Sequence, residues 1–215
     1  MAASVDFPLY LITDRQQTGG RSLTSVVEGA LRGGVRMVQL REKDLSTKEL
    51  YELAFELRKL TRLCGAGLII NDRADVALAV DADGVHLGNS SLPIYRVRTL
   101  VGPRKLIGVS CHNQLNAITA QEKGADFVTF GPIYYTPSKT IYGEPVGLAA
   151  LKKAASAVTI PVYALGGIKE HNIPEVLANG ARGIALVSAV MAAPDPEAEA
   201  GTILQTISRE TAARP

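Results

Sequence analysis

The sequence predicts an α/β chain that closes into a (β/α)8, or TIM, barrel occupying residues 1–215 as a single domain. Three observations carry that prediction. Eight short apolar runs alternate with amphipathic segments from one end of the chain to the other. A glycine-containing phrase recurs just ahead of several of these runs. The residues that follow the runs are unusually polar.

The runs lie at 9–12, 37–40, 67–70, 84–87, 105–109, 127–130, 162–165 and 183–187. Most are aliphatic or β-branched and bounded by Gly, Asp or Pro, as strands covered on both faces should be. Between them, Leu50, Leu53, Leu57 and Leu60 repeat at three and four, with Glu and Lys on the other face, and predict a helix from Ser46. Val76, Ala77 and Val80 repeat the pattern more briefly, as do Ile173, Val176 and Leu177. The phrase reads Gly33-Gly34-Val35, Asp83-Gly84-Val85, Gly124-Ala125-Asp126 and Gly180-Ala181-Arg182-Gly183, and predicts left-handed helix C-caps leading into parallel strands. A doubly wound open sheet would need a glycine-rich turn after the first strand. Here that strand ends Ile12-Thr13-Asp14-Arg15. Barrels of this class typically have about 250 residues, so a chain of 215 must have lean loops.

Composition narrows the partners. The net charge is only +2, with basic residues scattered among acidic ones, and there is no Trp. Nucleic acid and anionic membrane surfaces are poor matches to that pattern, and small molecules are the expected partners. Homo-oligomerisation stays open. Cys64 and Cys111 are far apart and form no CxxC, which predicts reduced packing residues in a cytoplasmic protein. Residues 1–8 carry no basic region followed by a long apolar run, and no apolar stretch is long enough to span a bilayer.

In a (β/α)8 barrel, chemistry sits at the C-terminal strand ends. The most informative of these is Val38-Gln39-Leu40-Arg41-Glu42-Lys43. Burying unpaired charge costs several kcal/mol, so two cations and an amide together suit an anionic ligand, with Glu42 able to orient the cations. A solvated loop with an Arg–Glu pair is the other reading. Gly166-Gly167-Ile168 and Val187-Ser188-Ala189 close the last two strands, where this fold usually binds phosphate. Asp72, in Asn71-Asp72-Arg73, suits a helix cap or a Mg2+ ligand. The stretch 131–147 makes the longest loop on the rim and is expected to be a functional lid, with Thr136, Ser138 and Lys139 offering hydroxyls and a cation. Among the histidines, His86 reads as a packed strand-end residue and His112 as a candidate for proton transfer. His171 looks solvent-facing, and the three have no metal-ligand spacing.

With these strand ends in order, the chain resembles the thiamine phosphate synthase family from about Leu9 to the Asp195-Pro196 region. The motifs are Leu11-Ile12-Thr13-Asp14-Arg15, Gln39-Leu40-Arg41-Glu42-Lys43, Asn71-Asp72, Asp83-Gly84-Val85-His86-Leu87-Gly88, Gly108-Val109-Ser110, Gly131-Pro132-Ile133-Tyr134 and Gly166-Gly167-Ile168. The resemblance implies condensation of a hydroxymethylpyrimidine pyrophosphate with a thiazole phosphate, releasing pyrophosphate by dissociative substitution. It implies that Gln39, Arg41, Glu42, Lys43, Asn71, Ser110 and Lys139 form the pyrimidine pyrophosphate site, with Ser110, Lys139 and Arg41 catalytic. Thr136, Pro137, Ser138, Gly167, Val187 and Ser188 then surround the thiazole phosphate, and Asp72 and Ser91 hold Mg2+. The chain departs from the family at Ser91, where a second acidic ligand is usual. That departure favours a relative, the thiazole tautomerase, as an alternative, with a non-catalytic phosphate-binding protein as a third. The tautomerase typically places a His where this chain has Pro132, whereas Arg41, Lys43 and Lys139 are retained here.

Overall fold

The computed structural model describes residues 5–136 and 144–212. Strands β1 Leu9–Ile12, β2 Met37–Leu40, β3 Gly67–Asn71, β4 Gly84–Leu87, β5 Leu106–Cys111, β6 Phe127–Phe130, β7 Val162–Leu165 and β8 Gly183–Leu186 pair in sequence order. All neighbours are parallel, and β8 returns to β1 to close the barrel. The helices outside it are α1 Leu23–Arg32, α2 Thr47–Leu63, α3 Ala74–Ala79, α4 Ile94–Val101, α5 Gln114–Glu122, α6 Gly147–Ala157, α7 Ile173–Ala178, α8 Ser188–Met191 and α9 Pro196–Ala212. The predicted strands are all present with small shifts of their ends. β3 runs one residue further, to Asn71; β5 starts one later and continues to Cys111; β8 stops at Leu186.

Local chemistry explains the boundaries. Ser46 starts α2 through a reciprocal capping box with Glu49, which satisfies backbone N–H groups that a helix start leaves open. Gly34, Gly124 and Gly180 adopt positive φ as predicted. The fourth phrase differs. Asp81, with φ 50°, takes the left-handed place, and Gly84 lies inside β4. A Cβ on Gly84 would lie 2.1 Å from the Leu106 carbonyl oxygen, so this glycine serves close strand packing. Aspartates just before strands tie the base of the barrel. Asp83 accepts from the Leu68 amide and from Arg58; Asp126 accepts from the Ile107 amide and from Arg98.

Two apolar regions result from the period-2 alternation of the strands. Residues such as Leu11, Val38, Leu68, Val85, Ile107 and Val128 face outward and pack under the helices. Phe7, Tyr10, Ile12, Met37, Ile69, Leu106, Phe127, Tyr163 and Ala185 fill the barrel itself. Phe7 stacks on Tyr163 with centroids 4.6 Å apart, and Phe127 meets Tyr10, Phe7 and Tyr163 edge-on. These offset and T-shaped contacts are the arrangements that ring quadrupoles favour.

Gly108 has a specific place in that interior. A Cβ there would fall 2.4 Å from Phe127 and 2.5 Å from His86 Nδ1. Both rings are fully enclosed, so neither can move aside freely. Gly108→Ala is expected to destabilise the fold by about 1–3 kcal/mol, the usual cost of overpacking. A thermal melt of the purified variant checks this; an unchanged midpoint would mean that the interior yields more readily than these contacts imply.

Candidate active site

Extending the interior alternation of each strand to the C-terminal mouth brings Ile12, Gln39, Asn71, His86, Ser110, Thr129, Leu165 and Val187 to inward positions. The mouth is therefore polar along β2 to β6 and apolar along β7, β8 and β1. A hydrogen-bonded row crosses the polar half. Gln39 Nε2 donates to the Tyr10 hydroxyl at 3.0 Å, and that hydroxyl lies 3.4 Å from His86 Nδ1. On the ring's other side, His86 Nε2 is 3.0 Å from Ser110 Oγ, and Thr129 Oγ1 lies 3.4 Å from Nε2 and 3.5 Å from Ser110 Oγ.

The order of protons in this row follows from donors and acceptors. With Gln39 donating to its oxygen, the Tyr10 hydroxyl donates its hydrogen bond to His86 Nδ1. His86 then carries its proton on Nε2 and donates to Ser110, leaving the Ser110 hydroxyl proton free to point at the mouth. Burial holds His86 strongly toward the neutral form, with Arg41 adding repulsion, and its pKa falls to about 3. Burial also raises the Tyr10 pKa well above its usual value. The row is uncharged at neutral pH.

The β2 end carries the cations. Arg41 is half-buried, Lys43 is exposed, and neither forms an ion pair among the described residues. Glu42 does not lie beside them as the sequence reading expected. Its side chain is 2% exposed and turns toward the β1 loop, accepting from Thr13 Oγ1 at 2.7 Å and from the Arg15 amide at 3.1 Å. Its acceptor sites are thus filled from within the protein. The physical reason is that a carboxylate in so closed a place needs hydrogen bonds, and the β1 end supplies them.

Asp72 follows Asn71 in a left-handed conformation, φ 64°. It does not cap α3, whose N-cap is Arg73 with no side-chain cap bond. Asp tolerates this region better than most residues, as Asp81 also shows. The Asp72 side chain is exposed and accepts no hydrogen bond among the described residues. Asp75 is held by Arg73 through Nε and Nη2. Ser91 uses its Oγ to accept from the Gly88 amide at 2.7 Å, closing its own turn. Among the described residues no group of three or more His, Cys, Asp or Glu forms a metal cluster. A single free carboxylate still fits Mg2+, which is usually held by one or two carboxylates, several waters and substrate phosphate.

Across the mouth, Ile133 and Tyr134 donate to the Leu165 and Gly166 carbonyls at 2.9 and 3.0 Å. The β6 loop therefore runs along the β7 end. Gly166 and Gly167 have positive φ, and a Cβ on Gly167 would meet Tyr134 Cβ at 2.7 Å. The lack of side chains there lets the two loops pack. Tyr134 also donates to Glu175 of α7 at 2.5 Å. Half-buried Val187 and exposed Ser188 lie where β8 passes into α8. Thr136 is half-buried at the edge of the described loop, while Pro137, Ser138 and Lys139 lie outside the described residues, with the middle of the expected lid, 137–143. His112 Nδ1 is 2.6 Å from the Gly131 carbonyl, so it carries the ring proton. Burial pushes the Cys111 thiol up to about 12, which leaves it an inert packing residue.

Sequence reasoning missed Tyr10 and Thr129; it read His86 as a packed, hydrogen-bonded strand-end residue, which it is, without its partners. Their signal was the strand phase. Each lies at an interior position of its strand, in step with Gln39 or Ser110.

No helix among the described residues is long and apolar enough to cross a membrane. Residues 9–190 match the family model described as thiamine monophosphate synthase. A thiamine-phosphate synthase of Clostridium novyi is 44% identical, over 93% of this chain and 98% of that one. A Geobacter sulfurreducens protein provisionally given the same name is 58% identical, over 97% of this chain and 98% of that one. A solved structure of thiamine phosphate pyrophosphorylase from Pyrococcus furiosus superposes with a TM-score of 0.87 at 39% identity, covering 94% of this chain and 96% of that one. On these matches the chain belongs to the thiamine monophosphate synthase family.

Proposed function

We propose that this chain joins a hydroxymethylpyrimidine pyrophosphate to a thiazole phosphate, forming thiamine phosphate and pyrophosphate. The observation that carries this reading is the pair of unpaired cations, Arg41 and Lys43, beside the polar half of the mouth. In a dissociative substitution the pyrimidine methylene–oxygen bond breaks first, and the oxygen of pyrophosphate gains a full negative charge. Fixed cations and hydroxyl donors lower the energy of that charge without reorganising. Arg41 and Lys43 supply the cations, joined by Lys139, and Ser110 supplies a proton-donating hydroxyl at the end of the row through His86. Asn71 and the amide oxygen of Gln39, which accepts no hydrogen bond among the described residues, give the pyrimidine polar partners. The thiazole nitrogen then captures the methylene carbon, which requires the second substrate to be held in line beforehand. Thr136, Gly167, Val187 and Ser188 suit the thiazole phosphate, beside the apolar wall of Leu165, Val187 and Ile12, and the hydroxyl of Ser138 and the neighbouring Pro137 are assigned to the same phosphate by the family resemblance alone.

Asp72, with Ser91 through water, would hold Mg2+, which supplies additional charge neutralisation for the pyrophosphate when bound. Asp72→Asn is expected to raise the Mg2+ concentration giving half-maximal rate by about tenfold or more, since mutating even a residue that only supports a metal ligand typically costs 10–100-fold. Titration of the rate with Mg2+ checks this, and an unchanged midpoint would remove Asp72 from the metal site. The function itself is tested by incubating the purified protein with both substrates and Mg2+ and following thiamine phosphate. No product above the protein-free background would sink the reading.

A further inference from the structure

The β2 end alternates in charge: Arg41, Glu42, Lys43, Asp44. Acids so close to the cations can pair with them, and such pairing would leave the site little positive field. The structure prevents this from the β1 side. Arg15 forms a two-pronged pair with Asp44, at 2.5 and 2.8 Å, and its Nη1 also reaches Glu42 at 3.3 Å. The Arg15 amide contacts both Glu42 oxygens, at 3.1 and 3.2 Å, and Gln16 adds a bond to Asp44. Thr13 is fully buried and makes the join: its hydroxyl donates to Glu42 at 2.7 Å and accepts from the Arg41 amide at 2.9 Å. Its own amide donates to the Gln39 carbonyl at 2.9 Å. Both acids are therefore turned to one side of the loop, and Arg41 and Lys43 are left unpaired.

We propose that Arg15 and Thr13 are positioning residues: by holding Asp44 and Glu42 they keep Arg41 and Lys43 free for a diphosphate. Neither residue needs to touch the ligand. Arg15 acts as an internal counter-ion whose task is to occupy two carboxylates that would otherwise compete with phosphate oxygens. A bidentate guanidinium suits this better than an ammonium, because its fork fixes the carboxylate's direction as well as its charge. The proposal rests on the reading of this strand end as the pyrophosphate site.

The test is steady-state kinetics with each substrate varied in turn, on wild type, Arg15→Met, Arg15→Lys, Arg15→Met with Asp44→Asn, and Thr13→Ser. Arg15→Met is expected to raise the KM for the pyrimidine pyrophosphate about tenfold, equal to ~1.4 kcal/mol. The KM for the thiazole phosphate, bound on the opposite half of the mouth, should stay within about twofold. Adding Asp44→Asn should recover most of the loss, because the released carboxylate is gone. Arg15→Lys, which keeps the charge without the fork, should fall between wild type and Arg15→Met, and serves if the latter does not fold. Thr13→Ser keeps the hydroxyl and should resemble wild type. An equal rise in both KM values, or no recovery on adding Asp44→Asn, would overturn the proposal. Calorimetry with inorganic pyrophosphate separates it from the reading beneath. If Arg41→Ala binds pyrophosphate as wild type does, the site reading fails; if Arg41→Ala loses it and Arg15→Met does not, the positioning role alone fails.

Discussion

Arg41→Ala is expected to lower kcat/KM for the pyrimidine substrate by about two to three orders of magnitude, or ~2.7–4 kcal/mol, the range seen when one preorganised donor to a developing anion is removed. The expectation follows from where the side chain stands. Arg41 leaves a buried strand, is half-buried, and has no ion pair among the described residues. It is thus held near the mouth with its charge unspent. For the same reason, its removal breaks no internal ion pair, and folding stability should change by no more than about 0.5 kcal/mol. Arg41→Lys should restore part of the rate, as a point charge lacks the planar fork. Steady-state kinetics and a thermal melt together check this. A loss of stability matching the loss of rate would assign Arg41 to the fold instead.

The second large effect concerns acid stability through His86. Burial lowers its pKa to about 3, from 6.5 for an unperturbed histidine. Above pH 6.5 both the folded and unfolded chains hold it neutral, and it contributes no pH dependence. As pH falls from 6.5 toward 3, the unfolded chain takes up a proton that the folded barrel refuses, so the folded state loses ground. The loss approaches ~1.4 kcal/mol per pH unit, which is roughly 2 kcal/mol between pH 6.5 and 4.5. His86→Gln removes the titration while keeping an amide able to bond Ser110. Denaturant melts across that range should therefore show a shallower acid slope for the variant than for wild type. Equal slopes would mean that His86 accepts a proton in the folded state, and the neutral row through Ser110 would be wrong.

How far the sequence revealed this molecule depends on the physical range of each interaction. The barrel was legible because strand and helix patterns are local. Leu50, Leu53, Leu57 and Leu60 state a helix face, and Ser46 with Glu49 states where it begins. The rim was legible too, because polar residues such as Arg41 and Asp72 interrupt apolar runs. What stayed hidden depended on contacts between distant segments. Glu42 looked like a partner for Arg41 and Lys43 because they are adjacent, but 27 residues separate it from Arg15, which holds it. The sequence could not show that the missing Cβ of Gly167 also makes room for Tyr134. Thr129 and Tyr10 sat inside apolar runs and gave no polar interruption. Only the register between strands sets them in step with His86 and Ser110.

The most direct measurement of the central claim is a crystal structure of the protein with inorganic pyrophosphate and Mg2+. Phosphate oxygens should lie within hydrogen-bond reach of Arg41 and Lys43, with the metal on Asp72 and Glu42 still bonded to Thr13 and Arg15. Pyrophosphate bound only at the Gly166–Ser188 side of the mouth, with Arg41 and Lys43 free of it, would contradict the account.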